Sequence, residues 1–337
     1  MSKTKNPKVT IKEVARQAGV SIATVSRVMH GNYYVSPEIC QRVQEIVEQL
    51  KYLPDSNAAS LKSKYRRMIG YLVSDISNYQ FTAINRAVED VLESRGFSLI
   101  VCSNDSRGER ERNYLNTLLS HRIDGLIINT SGKNDKLIAE ISEGLPVVLL
   151  YRTISSFGFQ GDFVGSSDYK GGKLMAKALL ARGHRRVALI SGDLSFNTFG
   201  DRYKGFIDGL AETGQSVPRE WILTDEYTEA GGFTMMQKLL GDALEIDAVC
   251  VLNNAMAVGV YNCLRKNNIA VPEQIAVVSF GDIYNDQLFY VKPAFISQHP
   301  QSIGSAAADL LLSRIENSSL KPRKKIIPVK LALGESI

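Results

Sequence analysis

The feature that most constrains the fold of this chain is a series of short, almost continuous apolar runs between residues 68 and 280. The runs read MIGYLVS, SLIVC, DGLIIN, PVVLL, RVALISG, DAVCVL and IAVVSF. Runs of this kind are typical of strands that are buried on both faces of a parallel sheet, and the gaps between them can hold helices. We therefore expect two α/β halves, each built on a Rossmann-like parallel sheet.

Residues 1–67 have a different character, because they carry the whole basic excess of the chain. They hold 12 Lys or Arg against 5 Asp or Glu, whereas residues 68–337 hold 28 against 30. A basic segment on a near-neutral body is the charge distribution expected of a protein that binds nucleic acid. A solvated basic tail is the alternative.

The pattern of this basic segment predicts three short helices. Thr10 and Glu13 form a capping-box sequence at the start of the first helix, and Gly19 suits the sharp turn that ends it. Ser21 is expected to cap the second helix, and Pro37 opens the third. Two helices joined by a short turn and followed by a third make a helix-turn-helix unit, and the alternative is a helical hairpin within a larger core.

The second of these helices is rich in small residues, which allow close approach to a DNA duplex. Ile22 and Ala23 suit contact with thymine methyl groups, and Arg27 can pair in bidentate fashion with guanine. In a helix-turn-helix unit the second helix enters the major groove. We therefore expect these three residues to read bases.

The stretch VTIKEVARQAGVSIATVSRVMHG, followed by YVSPE and LKYLPDSNAASLKSK, resembles the DNA-binding head and hinge of the lactose-repressor (LacI/GalR) family. The resemblance continues through nearly the whole chain. It implies the same base-reading role for Ile22, Ala23 and Arg27. It also implies that four residues hold DNA phosphates: Thr10, Ser21, Thr24 and Tyr52.

Residues 55–67 are expected to form a hinge. Only about two turns of helix fit between Pro54 and the strand that begins at Met68, and so short a helix is marginal alone in water. We expect it to order when two copies pack together on DNA. The resemblance implies that Leu61, with its neighbours Ser60 and Lys62, enters the minor groove and kinks the duplex. A flexible linker is the alternative.

The expected architecture is a small all-α helix-turn-helix head at 1–54, the hinge at 55–67, and a two-lobed α/β body at 68–337 that resembles periplasmic binding proteins. Each lobe is expected to be built from two separate stretches of chain. The N-terminal lobe takes about 68–165 and 297–325, and the C-terminal lobe takes about 166–296 and 326–337.

The loops that follow the strands indicate where a ligand binds, because parallel sheets bind ligands at the carboxyl ends of their strands. These loops carry polar and aromatic residues, which suit sugars. The resemblance implies that Arg202, in the RxxGF motif, contacts an effector. It implies that Tyr227 stacks on this ligand and that Phe81 and Asn253 complete the pocket walls.

The sequence departs from the family pattern at two positions. Asn254 stands where an Asp usually follows the equivalent of Asn253, and Gly281 stands where the first residue of an Asp-Asp pair is usual. A sugar hydroxyl would lose an acceptor there, so the ligand class stays open. Asp282 is expected to supply a substitute carboxylate.

No set of catalytic residues is evident in the sequence. It has no GxGxxG after a strand and no GxSxG elbow, and YKGGKL lacks the spacing of a P-loop. The four His and four Cys are scattered. We therefore expect no enzyme, no cofactor and no metal site. A periplasmic sugar-binding protein is the rival interpretation, but it needs a signal peptide and has no use for a basic head.

We expect a cytoplasmic transcription regulator, most simply a repressor, with no membrane partner. Its expected partners are double-stranded operator DNA, a small sugar-like effector and a second copy of itself. Two heads on a two-fold dimer would address a palindrome, and a ligand that alters the angle between the lobes would pair or separate the hinge helices. A ligand that favours pairing is a corepressor, and one that favours separation is an inducer.

Overall fold

The structure is a computed structural model that describes residues 9–30, 33–52, 66–154, 157–241, 245–283 and 289–337. The chain divides into two compact units, Met1–Arg66 and Arg67–Ile337, which we call the head and the body. Within the described residues, no helix is long and apolar enough to cross a membrane.

The described part of the head contains the three predicted helices. They are α1 (Ile11–Ala18), α2 (Ile22–His30) and α3 (Pro37–Gln49). Gly19 adopts the left-handed conformation at φ 64°, which turns the chain sharply between α1 and α2. The three helices share one small core, formed by Val14, Ala15, Ala18, Val25, Val43 and Tyr52.

The predicted capping box at α1 does not form. The side chain of Thr10 makes no capping hydrogen bond, and only its backbone carbonyl accepts the Glu13 amide, at 2.9 Å. The Glu13 carboxylate turns the other way and accepts hydrogen bonds from Arg16 Nε and Gln17 Nε2, both at 3.0 Å. The prediction was wrong because partners one turn further along the helix compete for the same carboxylate.

The first sheet of the body is entirely parallel, with the strand order β11-β5-β4-β3-β1-β2. Its strands are β1 (Met68–Val73), β2 (Ser98–Ser103), β3 (Gly125–Ile128), β4 (Val147–Leu150), β5 (Asp162–Ser166) and β11 (Lys324–Ile327). Among the described residues, the helices of this lobe are α4 (Tyr79–Ser94), α5 (Gly108–Ser120), α6 (Asp135–Ser142) and α11 (Pro300–Glu316).

The second sheet has the order β12-β10-β9-β8-β6-β7, and only β12 runs antiparallel to its neighbour. Its strands are β6 (Val187–Ser191), β7 (Ile222–Thr224), β8 (Ala248–Val251), β9 (Ala276–Phe280), β10 (Ala294–Ser297) and β12 (Lys330–Ala332). Its helices are α7 (Asp168–Ala181), α8 (Asn197–Ala211), α9 (Glu229–Gly241) and α10 (Asn254–Lys266).

Separate apolar clusters cover the two faces of this second sheet. Leu189 and Cys250 pack on the side of α7 and α8, whereas Ile190 and Val249 pack on the side of α9 and α10. Burial on both faces explains why the strands read as continuous apolar runs. All seven runs are strands, and the predicted two-lobed parallel architecture is confirmed.

The chain crosses between the two lobes after β5, after β10 and after β11. The last two lobe boundaries were expected close to residues 297 and 325. The last crossing comes slightly later than expected, because the pairing of β11 with β5 continues to Ile327 opposite Ser166. Residues 326 and 327 therefore belong to the first sheet.

Candidate functional site

The exposed face of α2 carries the three residues that were predicted to read bases. Ile22 is 44% exposed, and Ala23 and Arg27 are exposed as well, whereas Val25 on the opposite face is buried in the head core. The Arg27 guanidinium lies 5.4 Å from the ring centroid of Tyr33. An exposed Ile beside an exposed Arg gives this helix a face that can make both apolar contacts and bidentate hydrogen bonds.

The start of α2 is capped as predicted, because the Thr24 amide donates to Ser21 Oγ at 3.1 Å. The two hydroxyl groups of this pair lie 2.9 Å apart. Thr10 is exposed at the start of α1. Hydroxyl groups at helix N-termini are suited to phosphate oxygens, so these three positions are compatible with the predicted backbone contacts.

Tyr52 is placed differently from the other predicted phosphate contacts. Its side chain packs in the head core and is 8% exposed. Its contact with phosphate therefore stays a prediction. The predicted minor-groove residues Ser60, Leu61 and Lys62 lie outside the described residues.

A cavity of about 640 Å³ lies between the two lobes of the body, and its lining residues follow strands of both sheets. Four of the residues expected to contact an effector line it: Phe81, Arg202, Tyr227 and Asn253. Asp282 is not among the lining residues. Its carboxylate accepts the Ser297 hydroxyl at 2.6 Å and the Gln298 amide at 2.8 Å, so it closes the turn after β10 instead.

Arg202 is held in the cleft by a buried ion pair. Its Nε donates to Asp168 Oδ1 at 2.8 Å, and its Nη1 donates to the carbonyl oxygen of Leu252 at 2.8 Å. Its guanidinium also stacks on the ring of Phe280, 3.9 Å from the centroid. Burial raises the pKa of the Asp168 carboxyl, and the charge and hydrogen bond of Arg202 oppose that rise.

A glycine on α7 sets the position of this arginine. A Cβ atom at Gly172 would overlap the carbonyl oxygen of Arg202, so α7 and α8 can approach this closely only with glycine there. The second glycine of YKGGKL, a stretch that failed as a P-loop, is therefore part of a helix contact that brings Asp168 and Arg202 together.

Tyr227 joins the two lobes at the other side of the cavity. Its ring lies 5.5 Å from that of Phe199, and its hydroxyl contacts Ser106 and accepts Arg152 Nη2 at 3.2 Å. Arg152 is buried and also donates from Nη1 to the Thr130 carbonyl oxygen at 2.9 Å. The sequence prediction missed Arg152, although its place two residues after an apolar run was an available signal.

Two adjacent asparagines at the start of α10 make different hydrogen bonds. Asn253 caps the helix, because its Oδ1 accepts the amides of Ala255 and Met256 at 2.8 and 3.1 Å. Asn254 crosses the cleft and exchanges amide hydrogen bonds with Asn78 of the first lobe. The departure from the family pattern at Asn254 therefore creates a contact between the lobes.

A buried carboxylate organises the loop that follows β3. Glu111 is fully buried and accepts the Ser131 amide at 2.6 Å and the Ser131 hydroxyl at 2.7 Å. It also accepts the side-chain amides of Asn134 and Asn104 at 2.9 and 3.1 Å. This loop carries the Thr130 carbonyl that binds Arg152, so Glu111 fixes one wall of the cleft. In the described ranges, no three His, Cys, Asp or Glu residues gather as a metal site would require.

Two family models match the chain, one in each unit. Residues 10–55 match bacterial regulatory proteins of the lacI family, and residues 66–334 match periplasmic binding proteins and the sugar binding domain of the LacI family. The ribose operon repressor of Escherichia coli (strain K12) is 31% identical over 329 residues, which cover 97% of this chain and 99% of that repressor.

Solved structures with the same fold include a lac repressor dimer bound to operator and the anti-inducer ONPF. It superposes with a TM-score of 0.82 at 24% identity and covers 98% of this chain and 99% of its own. A LacI family transcriptional regulator from Enterococcus faecium with bound ribose superposes with a TM-score of 0.72 at 29% identity. That likeness covers 80% of this chain and 98% of the regulator.

Proposed function

This chain belongs to the LacI family of bacterial regulatory proteins and is a DNA-binding transcriptional repressor, and on that premise we propose how it works. It binds a two-fold symmetric operator as a homodimer, and a sugar-like effector in the cleft controls its affinity for DNA. The observation that carries this proposal is the exposed face of α2, where Ile22, Ala23 and Arg27 stand clear of the head core.

The proposal of a homodimer rests on the small surface of one head. A single helix in the major groove contacts only a few base pairs, whereas specific binding exceeds non-specific binding by about 4–10 kcal/mol. Two copies related by a two-fold axis double the number of base contacts, and they require a palindromic site with half-sites a whole number of helical turns apart.

A sugar-like effector is supported by the size and chemistry of the cleft. Its volume of about 640 Å³ falls within the range of small-molecule sites, about 300–1,000 Å³. Phe81 and Tyr227 offer aromatic faces, and Asn253 and Arg202 offer hydrogen-bonding groups. A ribose operon repressor and a ribose-bound regulator among its relatives favour the same ligand class.

Control of DNA affinity follows if the effector binds the two arrangements of the lobes unequally. A ligand in the cleft touches residues of both lobes, so its binding energy depends on the angle between them. The first lobe follows the hinge residues directly in the chain, and the hinges of two copies would pair or separate with that angle. Leu61, with Ser60 and Lys62, would enter the minor groove in the paired state.

The test is selection of DNA sites from a random duplex library with the full chain, followed by binding measurements on the enriched sites. We expect a palindrome, bound by two copies of the chain as measured by analytical ultracentrifugation. Neutral and phosphorylated sugars are then added one at a time, and we expect one of them to change the affinity about tenfold or more. Sites without two-fold symmetry, or binding by a monomer, would overturn the proposal.

A further inference from the structure

Arg152 is a buried cation in the wall of the cleft. It follows β4, lines the cavity and is only 6% exposed. Among the described residues, it donates two hydrogen bonds, to the carbonyl oxygen of Thr130 and the hydroxyl of Tyr227, which are both neutral. Because a guanidinium carries five N–H donors in one plane, these two bonds leave donors for a ligand.

Aromatic rings hold the guanidinium in place without neutralising it. Its Cζ atom lies 3.8 Å from the ring centroid of Phe196 and 5.7 Å from that of Tyr227. Such cation–π contacts stabilise the positive charge from above or below the guanidinium plane. They leave its in-plane N–H groups for an acceptor in the cavity.

The other buried charges of this region are already satisfied. Arg202 is paired with Asp168 at 2.8 Å. The Glu111 carboxylate is occupied by donors from Ser131, Asn134 and Asn104. In the part of the chain that the structure describes, no carboxylate oxygen lies within ion-pair distance of Arg152. The cleft therefore contains one buried positive charge without a buried negative partner.

Charges at the rim of the cleft do not replace that partner. Of the carboxylates that line the cavity, Asp105 and Glu226 are exposed, and Asp105 is bound to Arg110. The half-buried Asp75 accepts hydrogen bonds from the amide and hydroxyl of Ser77. Asp193 is exposed as well, and Arg152 lowers the pKa of its carboxyl only weakly. Hydrogen bonds from Ser195 lower this pKa most, and the charges of Lys133 and Arg152 lower it further. Water screens such exposed groups, so their attraction for Arg152 is small.

We propose that the effector of this cleft carries an anionic group, a phosphate ester or a carboxylate on a sugar-sized polar molecule, and that Arg152 recognises this group. The inference rests on the proposed function and refines its ligand class. A buried charge without a partner is costly, and a bidentate oxyanion is the ligand group that fits a planar guanidinium.

The position of Arg152 links this anion to the movement of the lobes. Arg152 belongs to the first lobe, whereas Phe196 and Tyr227, which hold its guanidinium, belong to the second. An oxyanion bound at Arg152 is therefore held where the lobes meet. Its binding favours the arrangement in which both lobes contact the guanidinium.

The test compares neutral sugars with their anionic counterparts on the full chain by calorimetry. The probes are D-ribose with D-ribose 5-phosphate and D-ribonate, D-glucose with D-glucose 6-phosphate and D-gluconate, and inorganic phosphate alone. We expect an anionic member of a set to bind at least about tenfold more tightly than its neutral counterpart. Arg152→Gln should abolish this ratio and Arg152→Lys should keep part of it, whereas Arg112→Gln, an exposed arginine on α5, should leave it unchanged.

A measurement on the unmodified chain keeps the test valid if the variants fail to fold. A phosphate ester gains its second charge near pH 6, so its affinity should rise between about pH 5.5 and 7.5, whereas that of a carboxylate should stay flat. This difference also distinguishes binding of a phosphate ester from binding of a carboxylate. Equal affinity for neutral and anionic counterparts, or no binding of any anionic probe, overturns the inference.

Failure of this inference differs from failure of the proposed function. A neutral sugar that binds equally well to the Arg152→Gln variant and changes operator affinity would overturn the anionic effector and leave the regulator intact. An anion that binds through Arg152 without changing the affinity for any DNA site would support recognition of an anion by Arg152 and overturn the proposed control of DNA binding.

Discussion

Asn78 and Asn254 exchange two amide hydrogen bonds across the cleft, with Nδ2 to Oδ1 distances of 3.2 and 2.9 Å. Each side chain both donates and accepts, which a carboxylate cannot do. Asn254 also donates to the carbonyl oxygen of Asp282 at 3.1 Å. The pair therefore holds the lobes together at a point where an Asp side chain would offer acceptors only.

We expect Asn254→Asp to weaken the contact between the lobes. The carboxylate loses both donated bonds and faces the Asp282 carbonyl oxygen, so the free energy of unfolding should fall by about 1–3 kcal/mol. Hydrogen exchange should also speed up at the start of α4. The matched control is Asn78→Asp, which keeps the cap on the Gln80 amide at 2.9 Å. An equal or larger loss in that control would contradict the account.

Arg27→Ala should relax recognition at one symmetric pair of base pairs in the operator. A bidentate contact with guanine discriminates by about 1–3 kcal/mol per base pair, and this preference should disappear in binding assays on operators substituted at each position. Arg27→Lys should retain only part of it. Arg42→Ala, an exposed arginine on α3, is the control for loss of charge. Uniform weakening on every operator variant would show that Arg27 contacts phosphate instead.

Arg202→Ala should abolish the effector response, but it should also destabilise the body. It leaves the Asp168 carboxylate buried without its partner, which typically costs about 3–5 kcal/mol. The double variant Arg202→Met, Asp168→Leu should recover much of this stability and still give no response. Thermal unfolding and operator binding with effector measure the two effects. A response that survives in the double variant would remove Arg202 from the binding site.

The stability of Arg202→Ala should depend on pH in a defined direction. Burial already raises the pKa of Asp168, and without Arg202 it rises further above the value in the unfolded chain. The folded state then holds a proton that the unfolded state has released, so stability falls as the pH rises through this interval. The loss of unfolding free energy in Arg202→Ala, relative to the unmodified chain, should be smaller at about pH 5 than at about pH 8. A deficit that does not depend on pH would mean that Asp168 finds another partner.

Glu111→Gln should loosen the loop after β3. The amide that replaces one carboxylate oxygen faces donors from Ser131, Asn134 and Asn104, and the lost bonds should cost about 2–3 kcal/mol. Because the same loop holds Arg152 through Thr130, affinity for anionic ligands should fall too. Glu109→Gln changes an exposed residue of the same helix and should alter neither quantity. Unchanged stability in Glu111→Gln would contradict the role of this carboxylate in holding the loop.

The strands that are buried on both faces could be predicted from the sequence, because continuous apolar runs indicate such strands. The sequence prediction missed β10, and it missed β5 and β7 for identifiable physical reasons. Asp162 and Gly165 interrupt β5, and Asp162 is buried there only because Arg314 and Arg323 neutralise it from distant parts of the chain. β7 spans only Ile222–Thr224, too short for a periodic pattern.

Only some of the cleft residues were predicted, because others depend on partners that are distant in sequence. Arg202 and Tyr227 could be found through motifs near them in the chain. Asp282 and Arg152 depend on partners far away in sequence, namely Ser297 and Gln298 for the first and Thr130 and Tyr227 for the second. Whether such a side chain faces a ligand or closes a turn is decided by the tertiary fold.

The three crossings between the lobes have a mechanical consequence. Strands β5, β10 and β11 each end where the chain passes to the other lobe, so three short covalent connections span the same junction. Three connections restrain one lobe from sliding past the other more than one connection would, and the few residues in each can absorb a hinge motion. Cleavage of the peptide backbone at any one crossing would still leave the two lobes joined by the other two connections.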